Sequence, residues 1–81
     1  MLIRFSNKIN YGDLFINSEG DYYLVIRNIF SDIYPVSVID LNENRVDDEF
    51  TELSDIFEAY DVIQVIPSDK LILTTEGEYK W

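Results

Sequence analysis

The 81-residue chain predicts one small, mostly β domain of five or six short strands with a single short helix near residues 52–60. Three observations carry that expectation. Runs rich in Val, Ile, Tyr and Phe are separated by turn-forming groups: Ser18-Glu19-Gly20-Asp21, Ser31-Asp32, Asn42-Glu43-Asn44 and Ser68-Asp69-Lys70. One segment, following Thr51, spaces its apolar residues for a helix. The length is below the roughly 100–200 residues of an average domain, which leaves room for one core. At 47% hydrophobic and 15% aromatic residues, the chain has the apolar area to offset its ordering entropy, so disorder is a poor reading.

Tyr11-Gly12-Asp13 opens the first run, residues 14–16 continue it, and Gly20 permits positive φ in the turn that closes a hairpin. Residues 22–30 are nearly all apolar or aromatic, which suits a central strand with both faces at least partly covered. Pro35 lies near the start of the next strand, where its missing amide donor costs least, and Val36, Val38, Ile39 and Leu41 carry that strand. Asn tolerates left-handed backbone angles, so residues 42–44 turn the chain into a short polar strand over 45–50. Thr51 is the expected helix N-cap. Leu53, Ile56, Phe57 and Tyr60 then fall at i, i+3, i+4 and i+7 as one apolar stripe, with Glu52, Asp55 and Glu58 on the outer side. Residues 62–66 read as a β-branched strand stopped by Pro67, residues 71–75 as a closing strand, and residues 76–81 as a tail. A small barrel fits this order best, and an open sheet with the helix on one face is the alternative that periodicity leaves standing.

The run Tyr11-Gly12-Asp13-x-Phe15, then Gly20-x-x-Tyr23-x-Val25, then Val38-x-Asp40-Leu41, a helix, and Val62-Ile63-x-Val65-Ile66-Pro67 resembles small SH3-like barrel proteins encoded by bacteriophages and prophages. The resemblance spans roughly residues 9–75 and rests on glycine turns and β-branched strands. It implies a barrel, a phage origin and an accessory or anti-host role. It carries over no functional residue.

Composition narrows the chemistry. The chain has no Cys, which excludes a disulfide scaffold and thiolate zinc sites and fits a reducing cytoplasm, which the resemblance implies is that of a bacterial host. Its longest apolar run, residues 22–26, is far short of a membrane span, and the alternating Leu2, Ile3, Arg4 and Phe5 do not read as a signal peptide. Without His or Cys, Ser-His-Asp and Cys-His arrangements are impossible. A Ser-Lys pair is formally open, but Lys8, Lys70 and Lys80 all sit in polar sequence, where nothing desolvates an amine. No Gly-rich phosphate loop and no HExxH occurs. The expectation is a protein that is not an enzyme and takes no cofactor.

Two acidic sites compete with a merely solvated surface. The pairs Asp47-Asp48 and Glu49-Glu52 lie in exposed sequence, where nothing would split their pKa values into acid and base roles. Asp40-x-Asn42-x-Asn44 opens like a calcium loop with Asp48 at the ninth position. Arg45 stands where that loop needs its glycine and Thr51 where it needs a bidentate glutamate, so a β-turn is preferred. Tyrosines 11, 22, 23, 34, 60 and 79 with Trp81 could stack on bases, but six Lys+Arg against sixteen Asp+Glu make no basic groove. Core packing accounts for the rings better, with Tyr34 and Tyr79 as exposed anchors for a partner.

The charge is uneven. Residues 40–61 hold nine acids against Arg45 alone, a net of −8, of the whole chain's −10. The expected partner surface within this block is Asp47, Asp48, Glu49, Glu52, Asp55 and Glu58. Such charge disfavours direct contact with nucleic acid or anionic membrane and favours a neutral or basic partner. Three readings follow. The block is a solubilising surface, or it docks as a DNA mimic in the basic nucleic-acid cleft of a host protein and inhibits it, or the chain is a structural or regulatory adaptor that uses its sheet and aromatics. A nucleotide-sequestering oligomer is a further alternative.

Overall fold

The computed structural model describes residues 8–71. They form β1 (Leu14–Asn17), β2 (Tyr22–Arg27), β3 (Val36–Asp40), β4 (Arg45–Phe50), α1 (Asp55–Ala59) and β5 (Val62–Ile66), followed by a 3₁₀ turn at Ser68–Lys70. All five strands join one antiparallel sheet in the order β4-β3-β2-β1-β5. The mostly β class, with one short helix, therefore holds. β2 is the central strand, as its apolar sequence predicts. β4 and β5 are the edges, and no ladder joins them among the described residues, so the sheet is open in its hydrogen bonding. Beyond Leu71, the expected closing strand over 71–75 and the tail over 76–81 lie outside the described residues.

Strand alternation builds the core. Phe15 opposes Tyr23 and Val25 opposes Val38, so these side chains share one face of the sheet, where Val36, Ile56 and Val62 bury with them. The Phe15 and Tyr23 rings stack at 5.0 Å. The Tyr60 ring lies 5.1 Å from Phe15 on β1 and 6.2 Å from Phe50 on β4. Those strands are three places apart, which on a flat sheet is about 14 Å. One ring reaches both because the sheet curls around it, and the segment carrying α1 and Tyr60 covers the concave side.

Local side-chain bonds set the corners. Asn17 Oδ1 accepts the Glu19 and Asp21 N–H groups at 3.0 and 2.9 Å and shapes the β1–β2 hairpin, where Gly20 takes a φ of 85°. Asp40, buried at the end of β3, accepts the Asn42 N–H at 2.8 Å and the Glu43 N–H at 3.3 Å, and Asn44 takes the left-handed φ of 58° expected of this turn. The Asp40 segment is thus a backbone turn organised by its own carboxylate.

Two expectations are corrected. β2 ends at Arg27 rather than at residue 30, because Asn28 closes the strand: its Oδ1 accepts the Phe30 N–H at 3.0 Å and its own N–H donates to the Pro35 carbonyl at 2.7 Å. The outer face of β2 is half-buried at Leu24 and exposed at Tyr22 and Ile26, so it is less covered than its sequence implies. The helix is shorter than expected, and Thr51 does not cap it. Asp55, Ile56 and Phe57 bond i→i−3 to Glu52, Leu53 and Ser54, a tight entry that leaves only five residues in α-helical form, and Ser54 stands at the N-cap with no side-chain bond. The stripe survives the shortening: Ile56 is fully buried, and Leu53, Phe57 and Tyr60 are half-buried against the core. No helix among the described residues is long and apolar enough to cross a membrane.

Candidate functional site

The expected acidic surface maps to the edge strand β4 and the start of the helical segment. Asp47, Asp48 and Glu49 are exposed on β4, Glu52 is exposed in the bend that follows, Asp55 is half-buried at the head of α1, and Glu58 is exposed on it. They do not form one flat patch. Register on β3 pairs Asp48 with Val38 and Glu49 with Ser37, so the two carboxylates leave opposite faces of the strand. A bulge sets Asp47 between Val46 and Asp48 without a partner on β3, and its Oδ2 accepts the Tyr60 hydroxyl at 2.5 Å. Glu49 Oε2 accepts the Asn28 amide at 3.0 Å and the Ser37 hydroxyl at 3.5 Å. Asp55 Oδ2 accepts the Glu52 N–H at 3.2 Å. Arg45, the block's one base, is already paired with Glu43 at 2.7 Å, leaving the strip's charge essentially unopposed.

These bonds have an electrostatic consequence at Tyr60. Burial first, then the hydrogen bond to Asp47 and the charges of Asp47 and Asp48, push its hydroxyl well above the ordinary phenol range. Tyr23 is pushed up mainly by burial, with Asp21, Asp40 and Asp47 adding to the effect. Neither phenol is a base or a nucleophile at neutral pH. No group of three His, Cys, Asp or Glu side chains that could hold a metal ion occurs among the described residues.

The feature that sequence reading missed is the loop between β2 and β3. Ile29 and Phe30, expected to finish a central strand, instead stand in water at 74% and 92% exposed, and beyond the expected turn Ile33 is 67% and Tyr34 50% exposed. The loop is shaped by its own polar groups. The Asn28–Pro35 backbone bond closes its base, the Asn28 side chain holds Phe30, and Ser31 Oγ accepts the Tyr34 N–H at 2.9 Å. Asn28 also bonds Glu49, which fixes the loop against the acidic strand. The signal available in sequence was Asn28, a turn former inside the apolar run that precedes the expected turn at Ser31-Asp32.

Loop and strand share two hollows. Tyr34 and Val46 border a shallow cleft with Asp47, Asp48 and Glu49. On the outer face, Ile26, Ile29, Phe30 and Val46 wall a groove of about 290 Å³, with Ser37 and Glu49 at its polar side. Of the expected aromatic anchors, Tyr34 is exposed here and Tyr79 lies outside the described residues, while Tyr23 and Tyr60 belong to the core. No family model, curated protein or solved structure matches the chain.

Proposed function

We propose that the chain works by binding rather than by catalysis, docking the acidic β4 edge and the adjoining apolar loop on a basic protein surface. The observation that carries this reading is the junction itself. A structured loop presenting Ile29, Phe30, Ile33 and Tyr34 is tied through Asn28 to Glu49, in the strand that bears the strongest run of negative charge. A purely solubilising surface needs charge alone and gains nothing from four exposed apolar side chains beside it. A partner interface uses both, with an apolar centre for affinity and a charged surround for steering and register. In its sharper form, the proposal has the partner be a nucleic-acid-binding protein of a bacterial host whose cleft the acidic edge occupies, the role implied by a phage origin. The second reading, a phage structural or regulatory adaptor, is favoured by the loop taken without the charge.

The two readings separate by salt. The immobilised chain is incubated with bacterial lysate at low and high ionic strength, and each captured protein is tested for release of duplex DNA when the chain is added. Inhibition of a nucleic-acid-dependent protein predicts capture that falls steeply with salt and a partner that gives up its DNA. Capture indifferent to salt, by proteins that bind no nucleic acid, supports the adaptor and overturns the inhibitor.

A further inference from the structure

We infer that the groove walled by Ile26, Ile29, Phe30 and Val46 is an arginine-recognition subsite, which takes one arginine side chain from an extended basic segment of the partner. The inference rests on the binding role just proposed and names what that surface reads. At about 290 Å³ the groove lies at the lower end of small-molecule pockets and has room for one long side chain. Its walls are apolar, which suits the methylene stem of a long cation, and the exposed face of Phe30 suits a stacked guanidinium. Its one charged acceptor is Glu49. Asn28 bonds Oε2 at 3.0 Å, with the Ser37 hydroxyl further off at 3.5 Å, which anchors that oxygen while Oε1 has no bond among the described residues. The open Oε1 can accept one guanidinium N–H while the planar guanidinium stacks on the Phe30 ring, an arrangement that the compact ammonium of lysine does not reproduce.

Charge decides the occupant. A second copy of this chain would bring a further net −10 against Asp47, Asp48 and Glu49, whereas a basic segment meets opposite charge along the whole edge. The Arg27 side chain at the groove's margin does not fill the role, because its guanidinium lies 5.8 Å from the Tyr11 ring.

The test titrates capped synthetic hexapeptides of alternating arginine and valine into the isotope-labelled full chain, with lysine-valine and glutamate-valine peptides as comparisons. The arginine peptide is expected to shift the amide signals of Ile26, Phe30, Ser37 and Glu49. It should bind several-fold more tightly than the lysine peptide, and the glutamate peptide should not bind. Glu49→Gln, which keeps an acceptor for Asn28, and Phe30→Ser, at a side chain with almost no packing to lose, should each weaken it about tenfold. Arginine and lysine peptides binding equally, with both substitutions harmless, would overturn the subsite while leaving a charge-driven partner surface intact. Failure of every basic peptide would overturn both the subsite and the proposed function. Self-association of the unliganded chain in sedimentation, lost in Phe30→Ser, would give the groove to a second copy and overturn the subsite.

Discussion

Tyr60 joins the core to the acidic strand, since its ring fills the curl of the sheet and its hydroxyl meets Asp47. Tyr60→Phe keeps the ring and removes the bond. Because Asp47 is exposed and can rehydrate, the expected cost is only about 1 kcal/mol, measured by urea denaturation. The pH dependence has a definite sign. The folded state holds the Tyr60 proton beyond the pH at which the unfolded chain releases it, so the stabilisation is complete below about pH 10 and falls as pH rises past it. The wild-type denaturation midpoint should therefore drop from pH 9 to pH 11, and drop less in Tyr60→Phe, with Tyr23 accounting for part of what is left. Asp13 is the other decisive residue. It is buried, and its two oxygens accept the N–H groups of Asn10 and, across the fold, Ser68, both at 2.8 Å. Asp13→Ala removes both acceptors and should cost about 2–4 kcal/mol. Sequence reading placed Asp13 at the opening of a strand but could not find this role, because the partner is 55 residues away and no spacing rule connects them.

At the scale of elements, spacing was legible where one side of an element faces the core. The Leu53, Ile56, Phe57 and Tyr60 stripe was readable, as were the 45–50 strand and the turn before it, because each has its own local signal. The end of β2 was not readable. Apolar residues continue to Phe30, and periodicity records that they are apolar without recording that Asn28 has turned them into water. The misplaced N-cap has a similar origin, since Thr51 has the right chemistry but the chain first makes a tight turn from Glu52 to Ser54. Ile56, the one fully buried residue of α1, should cost about 2–5 kcal/mol on change to Ala, and loss of that effect in thermal denaturation would contradict the packing. Gly12 and Gly20 both have positive φ, but a Cβ on Gly12 would stand 3.3 Å from the Ser68 Cβ whereas one on Gly20 meets open space. Gly20→Ala should therefore cost about 1 kcal/mol from backbone strain and Gly12→Ala clearly more.

For the whole molecule, charge arithmetic located the acidic segment but not its shape. Strand alternation and the β4 bulge distribute the carboxylates over both sides of an edge, and the apolar residues beside them come from a loop whose first part, through Phe30, the sequence reads as central strand. Two variants separate the halves. Asp47, Asp48, Glu49, Glu52 and Asp55 changed to Asn or Gln keep an acceptor for Tyr60, Asn28 and the Glu52 N–H, and relief of repulsion amounts to tenths of a kcal/mol per pair, so folding should survive. Phe30→Ser with Ile33→Ser alters one side chain almost wholly in water and one mostly so, and should change stability by less than about 1 kcal/mol.

The most direct measurement of the central claim is the affinity of a captured partner for the wild type and these two variants across a range of salt concentrations. The account predicts that the wild type weakens as salt rises, that the charge variant binds weakly with little salt dependence, and that the loop variant binds weakly while keeping the wild-type salt slope. A folded charge variant whose affinity and salt slope match the wild type would contradict it and reduce the acidic edge to a solubilising surface.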